Sequence, residues 1–371
     1  MLPTYATVNL AALAHNLSRI KEYLSPGCEV MAVVKANAYG HGSVETAQAL
    51  TRQGIRRFAM ASLDEGIALR QAGLSTSIVV LGALFEEQLS DLVVYQLTPV
   101  VSDGRILPPL AKAACSHQPP YPIHLKVETG MGRLGFSPEE LLSLLDNHII
   151  RSHLRVEGMM THLADADGAD SAFTERQLDV FRTMLEQIRQ RGLTIPLLHT
   201  ANSAAVVRFP EAHFSLVRPG IMLYGYHTLP ASVPASDLKP VLSLQTTIVQ
   251  LRTIPRGGTV SYKGTFVAKR PTRIAVLPIG YADGCSRRLS HRGSVLIQGR
   301  RAPIVGLVCM DMIMVDVTDL AQVQVGEIVT LIGHQAQESI WANEVADWIG
   351  TIPYEVLCGI GSRVPRLYES A

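Results

Sequence analysis

The sequence predicts an α/β protein with an N-terminal (β/α)8, TIM-like barrel followed by a smaller, mostly β C-terminal domain. Three observations predict it. Eight short β-rich runs recur through the first 220 residues, segments with helical spacing lie between them, and strand-rich alternation takes over after Tyr226. A doubly wound sheet also alternates strands with helices, but no G-x-G-x-x-G follows the first strand. The length of 371 residues fits one large and one smaller domain.

The elements of the predicted barrel follow one another in a regular order. Helical spacing appears at Val44, Ala47 and Leu50, and a longer apolar stripe extends from Leu178 to Ile188. Ser137-Pro-Glu-Glu is a good helix start, with serine as cap and proline at the first helical position. The eight predicted strands are residues 29–35, 57–62, 77–82, 97–102, 123–129, 156–162, 197–202 and 215–220.

The chain changes character at residues 227–240, where three prolines indicate a linker. Beyond it, alternating strand patterns predominate, and the sequence predicts one clear helix near residues 339–349. We expect residues 1–9 to form a strand that joins the C-terminal domain. The predicted boundaries are therefore 10–230 for the barrel and 231–371 for the β-rich domain.

The charge balance argues against two classes of partner. The chain has 33 Lys and Arg against 32 Asp and Glu, so it offers no basic footprint for nucleic acid or an anionic membrane surface. No apolar run approaches the ~18 residues of a membrane-spanning helix, and the N-terminus lacks the pattern of a signal peptide. Five scattered cysteines without a C-x-x-C pair argue against a disulfide framework and a zinc site. We therefore expect a cytoplasmic protein without a metal.

Polar residues follow several predicted strands at the point where those strands end. Lys35 ends the first strand, and a lysine at the end of a buried strand needs a group that occupies its amine. Arg133 lies in the loop after the fifth strand, Thr161 and His162 end the sixth, and Arg218 ends the eighth. In a (β/α)8 barrel the catalytic groups lie at this C-terminal end of the strands.

Small residues after the last two barrel strands predict a phosphate-binding pocket. Asn202 and Ser203 follow the seventh strand, and Gly220 and Ile221 follow the eighth. Backbone N–H groups in these loops can approach an anion closely. A lysine and a phosphate pocket on one rim suggest pyridoxal phosphate, bound to Lys35 as a Schiff base.

Each of these residues also has an explanation that involves no function. Lys35 can extend to solvent, His162 can be a hydrogen-bonded core residue, Arg133 can be solvated, and Asn202 can cap a helix. Taken one at a time, these explanations are the stronger ones. The combination on one rim, with Arg218 among them, favours the cofactor site.

Several long motifs resemble the alanine racemase family of fold-type III pyridoxal phosphate enzymes. The motif around the lysine is A-V-V-K-A-N-A-Y-G-H-G. Further motifs are L-K-V-E-T-G-M-G-R-L-G-F, T-H-L-A-D-A-D, H-T-A-N-S, V-R-P-G-I-M-L-Y-G, V-C-M-D-M-I-M-V-D-V and S-R-V-P-R. They are collinear with the family and extend over nearly the whole chain, both domains included.

The resemblance implies interconversion of L-alanine and D-alanine by two bases on opposite faces of the substrate Cα. Lys35 would hold pyridoxal 5'-phosphate and act on one face. Tyr262, contributed by the other subunit of a homodimer, would act on the opposite face. The active sites would thus be composite, and the D-alanine would supply peptidoglycan synthesis.

The resemblance also implies a set of cofactor contacts. Arg218 would hydrogen-bond the pyridine nitrogen, and His162 would contact Tyr262. Five residues would bind the phosphate, namely Tyr39, Ser203, Gly220, Ile221 and Tyr354. The full cofactor-binding set is Lys35, Tyr39, His162, Asn202, Ser203, Arg218, Gly220, Ile221 and Tyr354.

Substrate contacts and supporting residues are implied in the same way. Arg133 would touch the phenolic oxygen of the cofactor and the substrate carboxylate, with Met310 near that carboxylate. Asp311 would come from the partner chain, and Tyr281 would help to narrow the entrance. Lys126 corresponds to a lysine that is often carbamylated in the family; it could equally be a strand residue paired with a neighbouring acid.

Alternative functions differ in what they leave unexplained. A racemase of serine or basic amino acids on the same scaffold is the nearest alternative, because pocket size decides substrate preference and Lys263 stands where relatives commonly have Gly or Asn. A decarboxylase of the same fold type would need a glycine-rich phosphate loop and a C-terminal cysteine-acid motif, and the sequence has neither. A non-catalytic pyridoxal phosphate carrier would explain Lys35 but not Tyr262 and Asp311.

Overall fold

The computed structural model describes residues 3–115, 120–146, 152–230, 233 and 237–369. The chain folds as two compact units. The barrel unit consists of Ala14–Ala38 and Ser43–Leu238, and the β unit consists of Met1–Leu13, Tyr39–Gly42 and Lys239–Ala371. The linker predicted at 227–240 lies partly outside the described residues.

Eight parallel strands form the barrel unit, and their spatial order follows the chain, except that the last of them in the chain pairs with the first. Two backbone hydrogen bonds link this last strand to the one before it: Ser215 N–H donates to Leu198 O at 3.3 Å, and Arg218 N–H donates to Ala201 O at 2.9 Å. The barrel is therefore nearly closed, as the sequence predicts. Its strands, numbered in chain order, are β2 Glu29–Val33, β3 Arg57–Met60, β4 Ser77–Val80, β5 Thr98–Val101, β6 Tyr121–Lys126, β7 Leu154–Met160, β8 Leu197–His199 and β9 Leu216–Val217.

Helices follow the strands of the barrel unit and bury their predicted faces. The stripe from Leu178 to Ile188 lies on the buried face of helix Ala172–Gln190. Ser137 caps helix Pro138–Leu145 in a capping box with Glu140. The described helices up to residue 208 are Leu10–Glu22, Ser43–Arg52, Leu63–Gln71, Leu89–Val94, Leu107–Ala114, Pro138–Leu145, Ala172–Gln190 and Ser203–Arg208. Short 3-10 turns are Glu86–Gln88, Gly104–Ile106, Pro210–Ala212 and Ile221–Tyr224.

The β unit consists mainly of strands. They are β1 Thr4–Asn9, β10 Leu242–Thr247, β11 Gln250–Ile254, β12 Thr259–Val260, β13 Phe266–Val267, β14 Thr272–Leu277, β15 Ser294–Ile297, β16 Arg300–Pro303, β17 Ile313–Asp316, β18 Ile328–Gln335, β19 Glu338–Ile340 and β20 Arg366–Glu369. Seven of them form one sheet in the order β16-β15-β18-β10-β1-β20, with β19 paired to β18. A three-stranded sheet, β11-β14-β17, and a short ribbon, β12-β13, complete the described strands of this unit.

The helical part of the β unit differs from the prediction in two respects. The helix expected near residues 339–349 begins at Ala342, because Glu338–Ile340 pairs with β18 as strand β19. A second helix, Pro353–Cys358, was not predicted; it is short, and Pro353 occupies its first turn. Among the described residues, every helix is too short or too polar to cross a bilayer.

Candidate active site

Lys35 stands at the start of an unusual backbone turn that follows β2. Ala36, Asn37 and Ala38 have φ angles of 51°, 54° and 54°, so Lys35–Tyr39 forms a left-handed turn. L-residues avoid this region because Cβ crowds the following carbonyl, at about 1–2 kcal/mol per residue. The turn ends the strand at Val33 and leaves Lys35 at the C-terminal rim of the barrel.

Hydrogen bonds from outside the turn hold it in place. One carboxylate oxygen of Glu65 accepts a hydrogen bond from Ala36 N–H at 2.6 Å, and the other accepts one from Ala61 N–H at 2.8 Å. Asn37 Oδ1 accepts from Ser43 N–H at 3.0 Å. Sequence reasoning missed Glu65. Its only signal was the capping box with Ser62 at the start of helix Leu63–Gln71.

Arg218 is buried at the same rim and donates mainly to backbone carbonyls. Its Nη1 donates to His199 O, and its Nη2 donates to Thr161 O at 2.9 Å and to Thr200 O at 3.1 Å. His162 Nδ1 lies 3.4 Å from the same Nη2. Burial lowers the pKa of Arg218 to about 9. The carbonyls at the ends of β7 and β8 thus fix the guanidinium.

A chain of two buried histidines leads from Arg218 into the barrel. Arg218 Nη1 lies 3.1 Å from His199 Nδ1, and since arginine only donates, this nitrogen accepts. Neutral His199 then carries its proton on Nε2, 2.8 Å from His124 Nδ1. The other nitrogen of His124 lies 3.8 Å from Glu157 Oε2. Burial lowers the pKa of both imidazoles, so both are neutral at pH 7.

Sequence reasoning missed His124, Glu157 and His199. The available signal was a polar side chain within each of three apolar strand patterns. In the sequence, such residues look like the ordinary alternation of polar and apolar residues along a strand. Only the folded barrel brings their side chains together.

Positive groups concentrate at this rim. Burial is the largest of the causes that lower the pKa of Lys126 to about 8, and the positive charges of Arg133, Arg218 and Lys35 contribute to the same shift. Burial is also the main cause that lowers the pKa of His162 to about 3, and part of this shift comes from four nearby positive groups, Arg218, Arg133, Lys126 and Lys35. His162 is therefore neutral, and the rim favours a bound anion.

The loops after β8 and β9 meet at Ser203. Its Oγ accepts hydrogen bonds from Gly220 N–H at 2.9 Å and from Met222 N–H at 3.4 Å. Asn202 acts as a helix cap, with Oδ1 accepting from Ala205 N–H at 3.1 Å. The structure thus brings Ser203 and Gly220 together, beside buried Ile221.

The remaining predicted residues belong to the β unit. Tyr39 and Tyr354 have ring centroids 5.8 Å apart, and burial raises the pKa of Tyr39 above its ordinary value. Tyr262 and Met310 are 67% and 52% exposed, and they line a groove of about 600 Å³ that Asp311 also lines.

Two hydrogen bonds hold residues in and next to that groove. Tyr281 N–H donates to Cys309 O at 3.0 Å, which ties Tyr281 to the loop that carries Met310. Asp311 Oδ1 accepts from Arg363 Nη1 at 2.9 Å.

Comparison with known proteins identifies the family. The family model for the N-terminal domain of alanine racemase matches residues 8–228, and the model for the C-terminal domain matches residues 241–368. The chain belongs to the alanine racemase family. The predicted family, fold class and enzyme class are therefore confirmed, and the protein is an amino-acid racemase, an isomerase.

Individual members of the alanine racemase family match over their full length. Alanine racemase of Carboxydothermus hydrogenoformans is 44% identical over 369 residues, covering 99% of this chain and 100% of that protein. Alanine racemase of Halothermothrix orenii is 43% identical over 368 residues, covering 99% and 97%. The crystal structure of alanine racemase from Bartonella henselae, with covalently bound pyridoxal phosphate, has a TM-score of 0.89 at 31% identity and covers 100% of both chains.

Proposed function

We propose that this protein interconverts L-alanine and D-alanine with pyridoxal phosphate held on Lys35. The observation that carries the proposal is the cluster of positive groups on the barrel rim. Lys35 and Arg133 both lower the pKa of Lys126 and of His162, and Arg218 lies buried beside them. The names of the full-length relatives support alanine as the substrate.

The residues present fit pyridoxal phosphate. The cofactor carries a phosphate and a phenolate oxygen, and the rim offers an excess of positive charge for such anions. Ser203 Oγ accepts from Gly220 N–H at 2.9 Å, so its hydroxyl hydrogen can be donated to the phosphate, and the small residues around it let the phosphate approach the loop closely. Lys35 offers an amine for the aldehyde. Asn202 Nδ2 donates to Leu163 O at 3.3 Å, so this side chain would stabilise the loop after β8 and make at most a weak contact with the cofactor.

Bound pyridoxal phosphate would withdraw electrons from the substrate and acidify the Cα–H bond. Lys35 Nζ would then move a proton at one face of Cα, and the Tyr262 hydroxyl would move a proton at the opposite face. Inversion needs removal on one face and return on the other, which two opposed bases achieve most simply. Arg218 would face the pyridine nitrogen and, as a donor held by three carbonyls, would not accept its proton.

Tyr262 would act in the active site of a second copy of the chain, in a homodimer. Its ring is 67% exposed, and Met310 and Met312 beside it are 52% and 46% exposed. Exposed apolar side chains around a groove favour contact with another protein surface. His162 would contact Tyr262 there, Arg133 and Met310 would meet the substrate carboxylate, and Asp311 and Tyr281 would border the entrance.

We also propose that Lys126 is carbamylated. Its buried amine has a pKa of about 8, so an appreciable neutral fraction exists at pH 7.5. The neutral Nζ adds to the carbon of CO2 and releases one proton, which leaves a carbamate with one negative charge among the positive groups. Under 13CO2, 13C NMR should show a carbamate signal that is absent in Lys126→Met. The absence of a difference between the two spectra would contradict the modification.

In the cell, we propose a cytoplasmic enzyme that supplies D-alanine for peptidoglycan. Conditional depletion of the enzyme would test this role: growth should stop with cell lysis, and external D-alanine should restore it. Growth that continues without D-alanine would contradict the biosynthetic role.

The decisive experiment follows purified protein with pyridoxal phosphate and L-alanine in D2O. Optical rotation should fall while deuterium enters at Cα, and L-serine, L-lysine and L-arginine should react much more slowly. Faster loss with a basic amino acid would assign a broader racemase and direct attention to Lys263. If the cofactor binds Lys35 but none of these four amino acids racemises, the proposed substrate and the role of Tyr262 are wrong.

A further inference from the structure

Ser261, the residue before Tyr262, has a backbone conformation that serine rarely adopts. Its φ is 67° and its ψ is −175°, a region populated almost only by glycine. On the other side of the tyrosine, Lys263 has a φ of 62°. Tyr262 is thus held between two residues with positive φ, and such strain persists only where the surroundings enforce it.

The loop that begins at Gly306 enforces the conformation of Ser261. Ser261 Oγ donates to Leu307 O at 2.7 Å and lies 3.6 Å from Cys309 Sγ. Gly306, with a φ of 71°, approaches so closely that a Cβ there would lie 2.6 Å from Ser261 Cβ. The hydroxyl and the close packing together leave the serine backbone little freedom.

Tyr262 itself has little else to orient it within its own chain. Its ring is 67% exposed, and its hydroxyl has no hydrogen bond to the residues that the structure describes. The residue before Ser261, Val260, is buried in a small core with Ile274 and Val305. The direction of the tyrosine side chain therefore depends on the backbone that Val260 anchors and Ser261 turns.

The same loop carries Met310. Cys309 O accepts from Tyr281 N–H and Met310 O accepts from Ala282 N–H, each at 3.0 Å. The hydrogen bond from Ser261 to Leu307 O thus joins the segment of Tyr262 to the segment of Met310. Glycine would adopt the φ and ψ of Ser261 without strain, but it would also adopt many others and would lack this hydrogen bond.

We propose that Ser261 is a positioning residue that aims the second base. Its hydroxyl keeps the strained backbone in place, and this fixes Tyr262 relative to the Met310 loop. The inference rests on the proposed two-base function. It predicts that loss of the hydroxyl impairs inversion at Cα more than proton exchange by Lys35.

The test compares the holoenzyme with Ser261→Ala, Ser261→Gly and Tyr262→Phe, using each enantiomer of alanine in D2O. Ser261→Ala should lower the rate of inversion at least tenfold with little change in KM. Exchange of the α-proton with retention should continue for one enantiomer, so the exchange-to-inversion ratio should rise about tenfold. Ser286→Ala, in the same unit, is the matched control, because among the residues that the structure describes this hydroxyl accepts only from Arg288 N–H, at 3.3 Å. Its exchange-to-inversion ratio should not change.

The outcomes separate the two proposals. If Tyr262→Phe loses inversion while Ser261→Ala keeps the wild-type ratio, the role of Ser261 is wrong and the two-base function stands. If Tyr262→Phe inverts alanine at the wild-type rate, the two-base function itself fails.

A measurement without substrate gives an independent readout. Gly264 N–H donates to Ser261 O at 3.2 Å, so backbone hydrogen exchange at Gly264 should accelerate in both serine variants. If the amide hydrogen of Gly264 exchanges at the wild-type rate in both variants, the inference is overturned. Ser261→Gly relieves the backbone strain, so it should fold even if Ser261→Ala does not, and it should show the same rise in the exchange-to-inversion ratio.

Discussion

The barrel rim and the groove of the β unit hold their functional side chains in opposite ways. On the rim, Arg218 and Lys126 are 4% exposed, and Arg218 is fixed by three carbonyls. In the groove, Tyr262 is 67% exposed and is oriented by a strained backbone. The rim is therefore organised by interactions within one chain, whereas the groove presents side chains that, we propose, complete the site of a second copy.

The largest effects should come from removing either proposed base. Lys35→Ala should abolish covalent cofactor binding and lower kcat/KM by more than roughly 10⁴-fold, because it removes both the attachment point and a base. Tyr262→Phe should lower kcat/KM by roughly 10²–10⁴-fold while the cofactor spectrum stays unchanged. Racemisation assays and absorption spectra would measure both. Wild-type turnover in Tyr262→Phe would contradict the proposal that the groove supplies the second base.

Mixing these two variants would test whether the rim and the groove belong to one site across two chains. A hybrid dimer of Lys35→Ala and Tyr262→Phe would contain one intact composite site, so random mixing should restore about a quarter of wild-type activity. Each variant alone should stay inactive under the same unfolding and refolding treatment. No recovery from a mixture that has demonstrably exchanged subunits would contradict composite sites.

A smaller effect should follow from releasing the left-handed turn at Lys35. Glu65→Ala removes the acceptor for Ala36 N–H, and we expect a roughly tenfold loss in kcat/KM from a displaced Lys35. Ser62→Ala removes only the other half of the capping box, so it should cost about 0.5–2 kcal/mol of stability and leave activity near wild type. Steady-state kinetics and urea unfolding would separate the two. Equal kinetics in both variants would show that Glu65 serves only the helix.

The smallest effect concerns the pH dependence of stability. The pKa of His162 is lowered from 6.5 to about 3, mainly by burial. Between these values the unfolded chain binds a proton that the folded chain does not, so His162 reduces stability as the pH falls. Wild type should therefore lose stability between pH 7 and pH 4 more steeply than His162→Asn, measured by urea unfolding at one protein concentration. If the free energy of unfolding depends on pH in the same way in both proteins, His162 is not a neutral, buried residue.

The sequence pointed to the candidate site through single residues and missed the residues that support them. Lys35 and Arg218 stood out because a charged residue at the end of an apolar strand needs a partner. His124 and His199 did not, because a histidine within a strand pattern reveals neither its burial nor its neighbour; only the pairing of β6, β7 and β8 brings their nitrogens to 2.8 Å. Glu65 looked like an ordinary helix cap and also holds the turn at Lys35.

By itself, the sequence determined the order of strands and helices, the class of fold and the family. These follow from apolar spacing, caps and motif residues, which are local properties of the chain. Tertiary structure alone decided the protonation of His162, the hydrogen-bonded chain from Arg218 to His124, and the backbone strain at Ala36 and Ser261. The physical reason is that burial and hydrogen-bond geometry depend on residues far apart in sequence, such as Ser261 and Leu307, which no local pattern relates.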